Sequence, residues 1–504
     1  MSAAPPDPRR DEDAVTIFER SRQGRRAFVA PELDVPDVPV ADLLAERLRR
    51  ERPAELPELS EPEIVRHYTT LSSKNFHLDE GLYPLGSCTM KHNPKLHERL
   101  AALPGHARLH PLQDPEYAQG ALELMWRLQG ALAEIAGLPH VSLQPSAGSQ
   151  GELAGLLLTR AYHEDRGEGR HKVLTPDTAH GTNPATVTMA GYDVVKVGTA
   201  EDGGVDLDDL RAKTTDDVAC LMLTNPNTLG LFDRNIEEIA RIVHEVGATL
   251  YYDGANLNAV MGIVRPGDTG FDIVHFNLHK TFTQPHGGGG PGAGPIAVSD
   301  RIEPYLPAPQ IVRRRGDNGS EPRFGLDLDR PKSIGKLRGF QGNFGVFVRA
   351  YAYIRSLGGD GLKEASQVAV LNANYLKARL GEDAVARYLP VAYDRVCMHE
   401  FVLSGKGARD ELGVKTLDLA KRLLDHGVHP PTVYFPLLVE EALMIEPTET
   451  ETKERLDHFA DAVRTILDEA AEDPEIARGA PYTTPVRRLD EAGAAKRPVV
   501  RQPT

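Results

Sequence analysis

The stretch DIVHFNLHKTF, residues 272–282, decides the fold expected for this chain. Its apolar first half predicts a strand over Ile273–Asn277, and the polar pair His279 and Lys280 follows at the carboxyl end of that strand. Ligands of open α/β sheets bind at this edge. A lysine amine held there out of bulk water is a nucleophile toward aldehydes. The stretch therefore predicts a strand-edge site built around Lys280.

Short apolar runs alternate with helical patterns on both sides of this stretch, from about residue 116 to residue 299. This alternation predicts an α/β fold in which a largely parallel sheet is covered by helices on both faces. The predicted strands are Lys172–Thr175, Asp193–Val197, Ala219–Thr224, Thr249–Asp253, Ile273–Asn277 and Pro295–Val298.

Changes in composition predict four parts of the chain. Residues 1–85 are polar and rich in proline, which favours an N-terminal arm. Residues 86–342 form the large domain, whose last part, 301–342, has the glycine-rich and irregular character of loops. Residues 343–479 mix helical and strand patterns and predict a smaller α+β domain, and residues 480–504 predict a C-terminal tail.

Composition excludes several classes of protein. The 504 residues include 58 Lys and Arg against 73 Asp and Glu, a net charge of −15 that disfavours nucleic-acid binding. No run approaches the roughly 20 apolar residues of a membrane span, and the N-terminus lacks the apolar segment of a secretory signal. Cys88, Cys220 and Cys397 are far apart, so no disulfide framework and no metal site are expected, and a reducing cytoplasm is the predicted location.

Three further segments add chemistry to Lys280. Asp253 ends a predicted strand, where its carboxylate can keep a pyridinium nitrogen protonated, and an Asp paired with a reactive Lys is typical of pyridoxal-phosphate enzymes. Ser149 and Gln150 begin a predicted helix, whose N-terminus favours a phosphate. His180 follows a strand and can present its ring to a cofactor. Taken singly, each residue is more often a loop, capping or structural residue, and only their order along the chain favours the cofactor.

With these segments together, the chain resembles the glycine cleavage system P-protein family, glycine dehydrogenase (decarboxylating). It resembles above all subunit 2, the β subunit, of the two-subunit form. The resemblance covers most of the chain from about residue 65. The motifs that carry it are Gly81–Lys91, Ser146–Glu152, His180–Asn183, Asp253–Asn258, Asn277–Phe282, Gly287–Gly292, Gly342–Gly345 and Pro485–Glu491.

The resemblance implies a fold-type I architecture, like that of aspartate aminotransferase, and residue roles that go with it. Lys280 would carry pyridoxal 5′-phosphate covalently, Asp253 would contact the pyridine nitrogen and His180 would stack on the ring. Phosphate contacts would come from Ser149, Gln150 and His279. Thr224 and Thr228 would lie near the ring hydroxyl, although simple turn chemistry explains these two threonines equally well.

The resemblance also implies a reaction and partners. Glycine would lose its carboxylate as CO₂, the cofactor ring would accept the electrons, and the aminomethyl group would pass to the lipoyl arm of an H-protein. A subunit 1 (α) of similar size would complete an α₂β₂ assembly. Arg338 and Arg349 are candidates for the glycine carboxylate, with a surface role as the commoner alternative. Three other functions stay open: a cysteine desulfurase or lyase, a cofactor-free regulatory subunit, and an acidic binding module.

Overall fold

The predicted strands lie together in one large sheet. The computed structural model describes residues 15–52, 54–285, 292–315 and 321–500, and within them seven strands form this sheet in the order β1-β7-β6-β5-β4-β2-β3. Their bounds are β1 (His140–Ser142), β2 (Lys172–Pro176), β3 (Asp193–Val197), β4 (Val218–Thr224), β5 (Thr249–Gly254), β6 (Ile273–Phe276) and β7 (Ile296–Val298).

Strand direction brings most of the loops that carry polar motifs to one edge of the sheet. The pairs β2–β3, β2–β4, β4–β5 and β5–β6 are parallel, whereas β7 is antiparallel to both β1 and β6. Strand β1 therefore runs in the same direction as β6. The segments that follow β1, β2, β4, β5 and β6 all leave from the same edge, as a largely parallel sheet requires.

Burial explains why these segments are strands. Every residue of β4, β5 and β6 is buried, so an apolar and β-branched run satisfies both faces of the sheet at once. Helices cover the two faces. Helix α10 (Ile236–Glu245), for example, turns Ile236, Ile239 and Val243 toward the core.

The bounds of the helices follow the sequence patterns closely around the sheet. They are α1 (Ile17–Arg20), α2 (Val40–Leu43), α3 (Glu61–Ser72), α4 (Lys95–Ala101), α5 (Pro104–Ala107), α6 (Gln119–Ala136), α7 (Gly148–Asp165), α8 (Thr182–Met189), α9 (Leu207–Lys213), α10 (Ile236–Glu245), α11 (Leu278–Thr281), α12 (Phe344–Leu380), α13 (Asp383–Tyr388), α14 (Thr416–Asp425), α15 (Lys453–Glu472), α16 (Pro474–Arg478) and α17 (Glu491–Lys496).

A second, antiparallel sheet lies in the C-terminal part of the chain. Its strands are β10 (Phe401–Ser404), β11 (Thr432–Val433) and β12 (Ala442–Ile445), in the order β10-β12-β11. Helix α12 links its core to that of the large sheet, because residues in the first half of α12 pack in one core and Ala373, Leu376 and Leu380 pack in the other. Gly358 interrupts the helical geometry of α12, with a φ of 65°.

The sequence missed two features of the large domain, strand β1 and a hairpin in the last part of the domain. Residues 301–342, expected to be loops, contain a hairpin of β8 (Gln310–Arg314) and β9 (Arg323–Asp327). Short strands with charged ends, such as Arg313 and Arg314, lack the apolar run that predicts a strand, and their pairing partner decides their conformation.

The chain separates into two compact units, residues 1–77 and 78–504. The described part of the first unit contains α1, α2 and α3 and exposes large apolar side chains, among them Phe28, Leu43 and Leu56. The domain boundaries predicted from composition stay a prediction. Among the described residues, no helix combines the length and the apolar character that crossing a membrane demands.

A buried lysine anchors the segment 81–91, which precedes the large sheet. Lys91 is 2 % exposed, and its Nζ donates to Asn258 Oδ1 at 2.7 Å, Tyr353 OH at 3.0 Å and Glu449 Oε1 at 2.6 Å. Burial of an ammonium group is tolerated only with such partners. This anchor places residues 87–89 beside the carboxyl edge of the large sheet.

Candidate active site

A cavity of about 280 Å³ lies at the carboxyl edge of the large sheet. The segments after β1, β2, β5 and β6 enclose it, as expected for an α/β ligand site. Its lining contains five of the eight residues predicted from the sequence, namely Ser149, His180, Asp253, His279 and Lys280. The other lining residues are Ala147, Gly148, Glu152, Thr182, Ala255, Asn277 and Gly292.

Lys280 enters the cavity from α11, a single helical turn that begins directly after β6. Its Nζ donates a hydrogen bond to the backbone oxygen of Ser87 at 2.7 Å. The amine is therefore held at a defined position on the sheet edge instead of pointing into bulk solvent. Ser87 belongs to the segment that Lys91 anchors.

Asp253 ends β5 and is 3 % exposed. It accepts hydrogen bonds from Asn183 Nδ2 and from the Ala255 amide, each at 3.0 Å, and His275 Nε2 lies 3.4 Å from its Oδ1. Burial acts to raise the pKa of Asp253, but His275, these hydrogen bonds and Lys280 together hold that pKa below its ordinary value. A buried carboxylate is thus kept ionised beside the lysine.

The opposite part of the cavity is formed by the start of α7 and the segment before β7. A Cβ on Gly148 would lie 2.1 Å from Asn277 Oδ1, and one on Gly292 would lie 2.8 Å from His279 Nδ1, so a larger residue at either position would displace a side chain that lines the cavity. The first amides of α7 point outward at such a helix N-terminus and favour an anion. Of the glycine-rich motif predicted to take part, residues 287–291 lie outside the described residues.

Three predicted residues do not line the cavity. Gln150 accepts from the Ser146 amide at 2.7 Å and donates to the Leu337 oxygen at 3.3 Å, so its side chain stabilises the loop before α7. Thr228 donates to the Thr178 oxygen at 2.6 Å. Thr224 is paired in register with Asp253, and among the described residues its buried hydroxyl has no hydrogen-bond partner.

The two arginines considered for a substrate carboxylate do not line the cavity either. Arg338 donates to Asn343 Oδ1 at 3.2 Å, and Arg349 forms a two-pronged ion pair with Glu98 at 2.7 and 2.8 Å. Arg349 is already neutralised by its partner, which makes it a poor ligand for a second carboxylate.

Sequence reasoning missed the role of Glu152. This carboxyl group is 5 % exposed and accepts from Asn183 Nδ2 at 2.9 Å and Thr182 Oγ1 at 2.9 Å. Asn183 therefore joins Glu152 to Asp253. Burial, followed by the negative charge of Asp253, raises the pKa of Glu152 to about 7. Glu152 and Asp253 both belong to motifs predicted from the sequence. Only the structure shows that they are neighbours, so that the charge of Asp253 favours the protonated form of Glu152.

Replacing Glu152 by Gln is expected to change how stability depends on pH. A carboxyl whose pKa is raised from 4.5 to about 7 contributes stability that is present below pH 4.5 and lost as the pH rises through about 7. Relative to Glu152→Gln, the wild-type free energy of unfolding should fall by about 2 to 3 kcal/mol between pH 4.5 and pH 7.5.

Urea unfolding of the cofactor-free chain at several pH values measures this difference. Glu134→Gln is the matched control, because the Glu134 side chain is 80 % exposed, and its difference from wild type should stay flat with pH. A pH-independent difference for Glu152→Gln would show that Glu152 titrates normally in the folded chain.

The residues at the cavity fit pyridoxal 5′-phosphate. A primary amine, an ionised carboxylate and a helix N-terminus with hydroxyl and imidazole donors match the aldehyde, the pyridine nitrogen and the phosphate of that cofactor. Within the described part of the chain, the buried Thr224 hydroxyl next to Asp253 has no hydrogen-bond partner, which leaves it available as a donor to a ring substituent.

Comparison with solved structures supports the same class. Glycine decarboxylase (P-protein) of the glycine cleavage system, in inhibitor-bound form, aligns with a TM-score of 0.72 at 22% identity, covering 84% of this chain and 94% of that chain. A cysteine desulfurase from Thermococcus onnurineus NA1 aligns with a TM-score of 0.60 at 15% identity, covering 77% and 95%. The fold is that of the fold-type I enzymes, and the cavity has the groups that fit their cofactor, pyridoxal 5′-phosphate.

Sequence comparison then shows the family. A model described as glycine cleavage system P-protein matches residues 35–400, and one described as glycine dehydrogenase, C-terminal domain, matches residues 365–482. The probable glycine dehydrogenase (decarboxylating) subunit 2 of Caldanaerobacter subterraneus subsp. tengcongensis is 56% identical, over 96% of this chain and 98% of that protein. The chain belongs to the glycine cleavage system P-protein family, in its glycine dehydrogenase (decarboxylating) subunit 2 group. The predicted family, fold and enzyme class are confirmed.

Proposed function

We propose that this chain is the cofactor-bearing subunit of a glycine decarboxylase. It binds pyridoxal 5′-phosphate covalently through Lys280, releases the carboxyl group of glycine as CO₂ and passes the aminomethyl group to the lipoyl arm of an H-protein. The observation that carries the proposal is the meeting of Lys280, Asp253, His180, Ser149 and His279 around one cavity in a chain of this family.

The cofactor, when bound, supplies an electron sink for the electrons left on the α-carbon after CO₂ departs. Asp253 makes that sink effective, since its ionised carboxylate keeps a proton on the pyridine nitrogen. Lys280 would hold the cofactor through its aldehyde, and the hydrogen bond from its Nζ to the Ser87 oxygen keeps the amine at the cavity.

The remaining residues bind and orient. Ser149, His279 and the first amides of α7 would hold the phosphate, and His180 would stack on the ring. His180 is placed for this by a contact of 3.0 Å between its Nδ1 and Thr182 Oγ1. Thr224 lies outside the lining but beside Asp253, where its hydroxyl would be near a ring substituent, whereas Gln150 and Thr228 act through the loops to which they are hydrogen-bonded.

The partners follow from the same family. Relatives named subunit 2 imply a subunit 1, and we place this chain with such a subunit in an α₂β₂ assembly in the cytoplasm. The exposed apolar side chains of residues 15–77 support a covering partner, because isolated proteins rarely leave such surfaces open.

A desulfurase is disfavoured by the cysteines. Cys220 and Cys397 are buried, and burial raises the pKa of the Cys88 thiol, so it stays protonated and weakly nucleophilic. A cofactor-free regulatory subunit is disfavoured by the intact lysine, carboxylate and helix N-terminus.

Reconstitution tests the proposal. The chain, a subunit 1 and lipoylated H-protein are mixed with glycine and labelled bicarbonate, and exchange of carbon into glycine is measured. Exchange that requires both subunits, H-protein and added pyridoxal 5′-phosphate is the expected result. A different substrate would be indicated if the complete mixture shows no exchange although borohydride treatment of a separate sample finds the cofactor on Lys280.

A further inference from the structure

A second buried polar cluster lies behind the loop of residues 87–89, outside the lining of the cavity. It consists of His399, Glu400 and Glu446, each 0% exposed. The cluster forms because β10 and β12 pair with Phe401 opposite Ile445, which brings Glu400 and Glu446 to the same end of the small sheet. His399 Nε2 lies 4.0 Å from Glu400 Oε1 and 3.8 Å from Glu446 Oε1.

The two carboxyl groups bind the loop from one side. The Ser87 amide donates to Glu400 Oε2 at 2.8 Å, and Thr89 donates to Glu446 through both its amide, at 3.0 Å, and its hydroxyl, at 2.6 Å. Ser87 and Thr89 have φ values of 63° and 47°, a region that costs free energy for residues other than glycine. The loop therefore needs partners that hold it in this conformation.

Lys280 binds the same loop from the other side, through its hydrogen bond to the Ser87 oxygen. The peptide of residue 87 thus connects the buried carboxyl pair to the amine of the cavity. The positive charge of Lys280 also acts on the carboxyls, lowering the pKa of Glu400 and that of Glu446 against the effect of burial.

The carboxyl groups of Glu400 and Glu446 are buried close together, with oxygen atoms within 4.8 Å of each other. Burial and then the charge of Glu446 raise the pKa of Glu400 well above its ordinary value, whereas burial raises the pKa of Glu446 to about 6. Burial lowers the pKa of His399 to about 3, and neither of its ring nitrogens has a hydrogen-bond partner among the described residues.

The other charged or titratable groups that act on the cluster come from three neighbouring elements. They are Lys280 on α11, Cys88 and Lys91 on the segment 81–91, and Glu449 in the segment after β12.

We propose that Glu400 and Glu446, beside His399, clamp the loop of residues 87–89 through their hydrogen bonds to Ser87 and Thr89 and thereby position Lys280. This inference deepens the proposed function and rests on Lys280 as the residue that carries the cofactor. Glu400 and Glu446 act through the loop and are positioning residues.

Hydrogen–deuterium exchange of the cofactor-free full chain tests the clamp. In a peptide that covers residues 85–92, Glu446→Gln should reduce protection of the Thr89 amide at pH 7.5 by roughly 10-fold or more, because a neutral acceptor replaces a charged one. Glu400→Gln should reduce protection of the Ser87 amide by less than about 3-fold, because the loop makes one hydrogen bond to Glu400 and two to Glu446, and glutamine keeps an oxygen acceptor. Glu472→Gln, an exposed matched control, should have no effect.

The pH dependence separates the clamp from general loosening. As the pH falls through about 6, wild-type Glu446 gains a proton, so the ratio of wild-type to Glu446→Gln protection should approach one. A ratio that does not change with pH, or equal losses in Glu400→Gln and Glu446→Gln, would overturn a clamp that depends on an ionised Glu446. A cooperative thermal transition shows that a variant has folded. If Glu446→Gln does not fold, Glu446→Asp provides a second variant that keeps the charge.

A separate experiment measures whether the clamp positions Lys280. Pyridoxal 5′-phosphate is added to wild type, Glu446→Gln and Glu472→Gln, and the fraction fixed on Lys280 by borohydride is followed in time by mass spectrometry. Fixation at least about 10-fold slower in Glu446→Gln alone is expected, and equal rates would overturn the positioning role. If wild type itself fixes no cofactor at Lys280, the proposed function fails, while the hydrogen–deuterium exchange data still test the clamp.

Discussion

Lys280→Ala is expected to lower glycine–bicarbonate exchange by at least about 10³-fold in the reconstituted system. The variant loses the only side-chain amine among the described residues that line the cavity, and with it covalent attachment of the cofactor. The phosphate contacts and Asp253 remain, so some non-covalent cofactor binding should persist.

Two measurements accompany the exchange assay for this variant. Borohydride treatment followed by peptide mapping should find the cofactor on the peptide of Lys280 in wild type and on no peptide in Lys280→Ala. Lys332→Ala, which removes a half-exposed ion pair with Asp165, is the matched control and should keep full exchange. Exchange at the wild-type rate in Lys280→Ala would remove the lysine from the mechanism.

Asp253→Asn is expected to lower exchange by roughly 10²- to 10³-fold while the chain stays folded. Asparagine keeps the shape of the side chain and can still accept the amide of Ala255, but it cannot keep a pyridine nitrogen protonated. His275 would then face a neutral group, which removes the charge that opposes the effect of burial on its pKa. The loss should therefore appear mainly in the rate constant of the reaction and less in the affinity for glycine.

The matched control for this variant is Asp208→Asn, because the Asp208 side chain is 97 % exposed and lies on α9. It should leave both exchange and cofactor absorbance unchanged. An Asp253→Asn enzyme with normal exchange would mean that another group keeps the ring nitrogen protonated.

The large sheet was predictable because its strands are buried on both faces. Continuous apolar runs such as Val218–Thr224 predict a strand without any knowledge of its neighbours in the sheet. The polar residue at the end of each run predicts which side chains reach the sheet edge. The order of Ser149, His180, Asp253 and Lys280 along the chain then predicted a cofactor site. The hairpin β8–β9 escaped prediction because cross-strand pairing, and not its own composition, stabilises it.

By itself, the sequence determined the class of fold, the family and five of the residues that line the cavity, since these depend on local patterns repeated after each strand. Only the tertiary structure decided which buried groups carry charge. Glu152 and Asp253 lie 101 positions apart in the chain, and Glu400 and Glu446 are brought together by strand pairing. Their protonation depends on distance and on the loss of water, and neither quantity is encoded in the spacing of residues along the chain.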